Sequence, residues 1–170
     1  MSNFSARLSR AMRHWKSSNA HGRRAFPPEA LAEIGTAIGE GERTHRGELR
    51  LIVEASMPFD AVWHDVTNRQ RALALFAEHG VWDTEENCGV LIYVNLAERA
   101  VDIVADRNIG RKIDAATWQA VCRTMTDGFA HGRYRESTLA AIAQVNSLLR
   151  QHFPANGARA NELPNNPIML

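Results

Sequence analysis

The chain has 170 residues, 45% of them hydrophobic, and a formal net charge of +1. That length supports one sizeable core and is short for two. No window approaches the ~20 consecutive apolar residues that a spanning helix requires, and the N-terminus lacks the apolar run of a secretory signal. A soluble, cytoplasmic chain is the expectation.

The near-neutral total hides a division. Residues 1–28 hold Arg7, Arg10, Arg13, Lys16, Arg23 and Arg24 and no acid, which leaves 14 of the 20 basic residues with all 19 acidic ones in the remainder. Residues 1–26 read as a basic arm. Within it Phe4, Leu8, Met12 and Trp15 recur every three or four positions, with the arginines mostly off that stripe, as in an amphipathic helix. Through residues 4–24 such a helix suits either an anionic membrane surface, with the chain peripheral to it, or packing against its own domain or a protein partner. Nucleic acid is not expected, because the folded part is acidic and no aromatic and basic residues interleave along a strand.

Residues 27–154 read as the folded domain. Pro28 suits a first helical turn, and a helix from Pro28 to Glu42 follows, with Leu31, Ile34, Ala37 and Ile38 on its buried face. Its Gly35 and Gly39 permit close packing and fit no phosphate-loop spacing. Residues 47–55 alternate as a strand, with Leu49, Leu51 and Val53 on one face. One helix is expected from Asp60 to His79, with Gly80 at its C-terminal cap. Cys88 to Val94 is apolar throughout and reads as a central strand, parallel to the first by a right-handed crossover. Residues 95–99 form a hairpin turn into an antiparallel strand from Ala100 to Ala105. Two closing helices run from Asp114 to Ala130 and from Arg135 to His152. Residues 155–170 have no period and many breakers and are expected to be disordered.

Those directions sort the polar residues. The amino-terminal ends of the parallel strands gather His45, Glu48, Asp83, Glu85, Glu86, Asn87, Asp106 and Arg107; the carboxyl ends hold Glu54, Ser56, Asn95, Glu98 and Arg99. Ligands of open parallel sheets sit at carboxyl ends, whereas the richer chemistry is at the amino pole. There Asp83, Glu85, Asn87 and Asp106 offer four oxygen ligands of the kind Ca2+ or Mg2+ takes, although Asp83-Thr84-Glu85-Glu86-Asn87 is not an EF-hand loop and the same residues also read as a turn cap, solvated side chains and an ion pair. No HExxH or GxSxG occurs. Cys88 and Cys122 lack metal or redox spacing and read as buried thiols. Arg69 and Arg71 read as an exposed helix face, and Trp63, Trp82 and Trp118 as core or interface anchors.

The order HRGELRLIVE, VWDTEENCGVLIYVNLAERAVDIVADRNIG, MTDGFAHGRY and HFP resembles the TPM domain family from about Pro27 to Pro154. The resemblance implies an α/β/α sandwich with a small mixed sheet, a parallel pair plus an antiparallel hairpin strand covered by helices. It also implies divalent cation binding, often of calcium, acid phosphatase activity as in the plant representative, and maintenance of membrane complexes. The family's polar loops fall on Asp83 to Asn87 and on Asp106 to Gly110. Many members read Asp-Asn-Gly where this chain has Asn87-Cys88-Gly89, and Gly-Tyr-Gly-Leu-Glu where it has Asp106-Arg107-Asn108-Ile109-Gly110. Three functions follow: a module near a membrane binding a divalent cation or a protein; a phosphatase whose metal, held by Asp83, Glu85 and Asp106, activates water while Arg107 neutralises phosphate; or a structural subunit.

Overall fold

The computed structural model describes residues 2–17, 19–157 and 160–170. Its centre is β1 (Glu48–Glu54), β2 (Gly89–Asn95), β3 (Ala100–Ala105) and β4 (Ile168–Met169), in the spatial order β3-β2-β1-β4. β1 and β2 are parallel from Glu48↔Gly89 to Glu54↔Asn95, and β2 and β3 are antiparallel from Val90↔Ala105 to Asn95↔Ala100. Every residue of β2 is buried, as a strand covered on both faces requires.

Leu49, Leu51, Val53, Val90, Ile92 and Val94 face the larger core, which is built with α3 (Pro28–Glu42), α7 (Ala115–Ala130) and α8 (Tyr134–His152). Ile52, Leu91, Tyr93 and Val104 face a smaller core under α5 (Asn68–Glu78), where Ala72 and Leu75 meet them. The molecule is therefore an α/β/α sandwich around a mixed sheet.

The helix expected over residues 60–79 is two helices, α4 (Phe59–Trp63) and α5. Asp65 takes φ 56 between them, and Thr67 opens α5 with a capping box, accepting from the Gln70 N–H while the Gln70 side chain accepts from the Thr67 N–H. A short α6 (Arg107–Gly110) interrupts the loop after β3; the Asp106 side chain caps it, accepting from the Arg107 N–H at 2.6 Å. Gly80 adopts φ 63 after α5, the left-handed position for which it was read. The arm forms α1 (Ser2–Lys16) and α2 (Asn19–Ala25).

The expected disorder of residues 155–170 is corrected where the tail is described. β4 adds to the outer edge of β1 in parallel, with Ile52↔Ile168 and Val53↔Met169 in register. The Leu163 side chain is buried in the smaller core, and its N–H donates to Glu48 Oε2 at 3.1 Å. Arg50 donates to the carbonyls of Pro164 and Asn166. Gly39 accommodates the crossing: a Cβ there would lie 2.6 Å from Asn165 Nδ2. Breakers remove the periodicity of this segment without removing order, because its main-chain groups find partners on β1, Glu48 and Arg50 as well as within the tail.

Truncating a buried leucine costs about 2–5 kcal/mol. Leu163→Ala should destabilise the protein by about 2 kcal/mol in urea unfolding, and a change within about 0.5 kcal/mol, the range of neutral surface substitutions, would show that the tail contributes no packing.

Candidate functional site

Strand direction brings Glu86, Asn87, Arg107 and Asn108 together at the amino pole. Asn87, with φ 52, accepts from Arg107 Nη2 at 3.4 Å, and Asn108 Nδ2 donates to the Glu86 carbonyl at 3.0 Å, so the loops on either side of the hairpin are joined. Glu86 pairs with Arg46. Gly89 is required at this junction, since a Cβ on it would lie 1.9 Å from the Val81 carbonyl oxygen.

The four expected cation ligands are arranged otherwise. Asp83 and Glu85 are exposed, and Glu85 uses its backbone N–H to hold Glu162 Oε2 at 2.7 Å. Asp106 is buried with one oxygen capping α6 and the other without a partner. Asn87 already receives a guanidinium from Arg107. Among the described residues, no three His, Cys, Asp or Glu side chains stand where they could share a metal ion.

Beside these loops lies a cavity of about 450 Å³, lined by Glu42, His45, Glu48, Asn161 and Asn165 among others. Glu42, at the end of α3, accepts from the Leu49 N–H at 2.8 Å through Oε1; Oε2 is enclosed without a partner in ordinary hydrogen-bond geometry. Burial pushes the Glu42 carboxyl up to about 8, the Leu49 N–H opposes this, and the Glu48 charge adds to it. Burial also lowers the pKa of His45, whose Nε2 lies 3.0 Å from Asn146 Oδ1. Glu42, Asn161 and Asn165 carry no motif; α3 places Glu42 and the fold of the tail brings Asn161 and Asn165 to it.

The carboxyl pole, sparse in sequence, is densely bonded. Glu54 is buried and receives Arg71 through Nε at 3.2 and 3.1 Å and through Nη2 at 2.6 Å, with the Tyr93 hydroxyl donating at 2.6 Å. Arg71 is thus the partner of an interior carboxylate, contrary to its reading as a solvated helix face. The Glu54 hydrogen bond raises the Arg71 pKa, while burial and the Glu54 charge push that of Tyr93 upward. In the β2–β3 turn Glu98 accepts from Asn68 Nδ2 at 2.6 Å, from Arg10 Nε at 2.5 Å and from His14 Nε2 at 3.0 Å. The Met57 N–H donates to His14 Nδ1 at 3.1 Å, so Nδ1 carries no proton and Nε2–H is the donor to Glu98. Arg10 also donates to the Val66 carbonyl at 2.6 Å, and Arg7 pairs with Asp65 at 2.5 Å.

These bonds set the orientation of α1. Arg7, Arg10 and His14 share the side that meets the domain. Leu8, Met12 and Trp15 point outward, 52%, 44% and 80% exposed, and α4 adds Phe59 at 69% and Trp63 at 41%. The Phe59 and Trp63 rings stack with centroids 5.8 Å apart. A groove of about 400 Å³ between the two helices is lined by Leu8, Met12, Trp15, Met57, Phe59 and Val62 among others.

A larger cavity of about 870 Å³ runs beside β3, with Arg69, Trp118 and Cys122 in its lining. Arg69 closes part of that edge, donating to the Ile103 carbonyl at 2.5 Å and to Asp102 at 2.8 Å. Burial pushes the Cys122 thiol up to about 11, away from nucleophilic use.

The TPM domain pattern matches residues 23–148. The fold is similar to the NMR structure of the BA42 protein from the psychrophilic bacterium Bizionia argentinensis, with a TM-score of 0.73 and 23% identity over 83% of this chain and 92% of that one. It is also similar to the NMR structure of the N-terminal domain of a protein from P. gingivalis, with a TM-score of 0.61 and 16% identity over 79% of this chain and 85% of that one. No curated protein matches.

Two pH dependences follow. Glu42 binds its proton more tightly in the folded state, so its contribution is full below the ordinary 4.5 and is lost as pH rises through about 8. Glu42→Gln should flatten this decline, leaving the variant more stable than the parent at pH 9 in urea titrations. Glu98 has the opposite sign. Its His14 and Arg10 bonds hold it down to about 2, so its contribution is present above 4.5 and fades as pH falls towards 2. Glu98→Gln should accelerate amide exchange in α1 at pH 6 while β2 amides stay protected; unchanged exchange in α1 would show that Glu98 does not hold the arm.

Proposed function

The chain belongs to the TPM domain family, and we propose that within it this protein is an interaction module whose docking face is the outward side of α1 and α4. The orientation of α1 carries this reading. An amphipathic surface helix ordinarily turns its apolar stripe to the core. Here the polar stripe is consumed by Glu98, Asp65 and the Val66 carbonyl, and the apolar stripe is left in water.

Energetics make that arrangement informative. Each large apolar side chain left exposed forgoes about 1.5–3 kcal/mol of burial, and five such side chains lie together here. Contiguous exposed apolar surface of this kind marks an interaction site. The face is also well defined: Arg10 and His14 fix α1 through their bonds to Glu98, and Phe59 stacks on Trp63. A pre-ordered face reduces the entropic cost of binding.

The dye 8-anilinonaphthalene-1-sulfonate reports accessible apolar surface on a folded protein. Native protein should enhance its fluorescence, and the double variant Trp15→Ser/Phe59→Ser should lose most of the enhancement with an unchanged circular dichroism spectrum. Equal enhancement by the variant would place the dye elsewhere and remove the docking face.

A further inference from the structure

We infer that the surface seated on this face is an anionic lipid bilayer, bound so that the carboxyl pole of the sheet faces the lipid and the amino pole faces water. This rests on the docking face proposed above and adds its occupant and geometry.

The side-chain chemistry is interfacial. Trp15, Trp63 and Phe59 are ringed by Leu8 and Met12, and tryptophan with neighbouring apolar side chains is what settles at the headgroup boundary. Charge selects the lipid. At about 100° per residue along a helix, Lys16 and Arg13 flank the Leu8, Met12 and Trp15 stripe on one side, and both are exposed, as are Arg23 and Arg24 on α2. No Asp or Glu occurs before Glu29. Of the carboxylates nearest in α4 and the turn after it, Asp65 is paired with Arg7, and Asp60 remains exposed. Glu98 lies behind Arg10 and His14. Anionic headgroups neutralise Arg13 and Lys16, which no acidic residue of α1 or α2 does.

Docking on lipid breaks none of the bonds that hold the arm, because Arg7, Arg10 and His14 lie on the other side of α1. The body is therefore carried rigidly. The partners of α1 are Met57, Val62, Asp65, Val66 and Glu98, in the segments that follow the carboxyl ends of β1 and β2. Trp82, Asp106 and the Glu42 cavity belong to the opposite pole and stay in water.

The full chain is floated with vesicles of phosphatidylcholine alone and of phosphatidylcholine with phosphatidylglycerol. The expected result is partitioning onto the anionic vesicles only, weakened roughly tenfold or more by Trp15→Ser/Phe59→Ser, weakened by Arg13→Glu/Lys16→Glu and by added salt, and unchanged by Trp82→Ser. Equal binding to both vesicle types overturns the charge argument. Failure to bind anionic vesicles, with dye binding still dependent on Trp15 and Phe59, overturns the lipid while leaving the docking face. Light scattering that shows a dimer abolished by the same double variant names a second copy instead. Orientation is read from vesicles of brominated lipid. Tryptophan emission should be quenched in Trp82→Phe, which keeps Trp15 and Trp63, and spared in Trp15→Phe/Trp63→Phe, which keeps Trp82 and an apolar face; both keep Trp118, which is buried. Quenching of the second protein overturns the orientation.

Discussion

The parallel pairing of β1 with β2 is the constraint on which the rest depends. Two parallel strands cannot be joined by a tight turn, so the chain crosses one face of the sheet through α4 and α5 and closes the other with α3, α7 and α8. The same pairing sets the two ends of the sheet apart. Glu42, Glu48 and Asp106 collect at one end, Glu54 and Glu98 at the other, and each carboxylate partly withdrawn from water must be neutralised or bonded. The two ends use different solutions. At the amino pole burial raises the Glu42 pKa, which favours its neutral form, and Glu48 accepts a backbone N–H from the tail. At the carboxyl pole Glu54 and Glu98 remain beside the guanidinium groups of Arg71 and Arg10.

The tail adds to this sheet and the arm lies across one end of it. The tail pairs its last residues with β1, which would otherwise be an open edge, and Arg69 shields the Ile103 carbonyl on the far edge at β3. Open edges invite association, so covering them with a short strand and a charged side chain keeps the sheet from pairing with others. The arm lies across the carboxyl ends of the strands, where open parallel sheets ordinarily seat ligands. Arg10 fills that position from within the chain. The cavities beside β3 and at the amino pole are therefore separate from the place that topology favours.

Long periodic segments were legible in the sequence. The 28–42 helix, the 114–130 helix with its Asp114 cap and the apolar hairpin follow from local pattern, because each buries one stripe or both faces against a large core. What was illegible depends on non-local partners. The tail has no period because its order comes from Glu48, Arg50 and the rest of β1, all more than 100 residues away. Arg71 looks solvated in isolation, since only the fold sets it against Glu54. The split at residues 64–67 was signalled by Thr67 with Gln70 three residues later, a capping box outweighed by the apolar stripe running through it. For the site, strand direction gathered the amino-pole residues but did not determine what they touch. Asp106 serves as a helix cap and Glu85 offers its backbone rather than its carboxylate.

The arm shows why amphipathicity alone does not decide which side of a helix is buried. Its stripe of Leu8, Met12 and Trp15 would gain by packing on the domain, yet the surface beneath it presents Glu98, Asp65 and a backbone carbonyl, which an apolar stripe would leave unpaired. Leaving such groups without partners costs about 1–3 kcal/mol each, more when they are charged, which matches or exceeds the gain from burying three apolar side chains. The carboxylate in the β2–β3 turn therefore selects the polar side of α1, and the apolar side is turned outward as a consequence. The outward apolar side of α1 thus follows from satisfying Glu98: the same side chain that closes the carboxyl pole of the sheet leaves Trp15 turned to solvent.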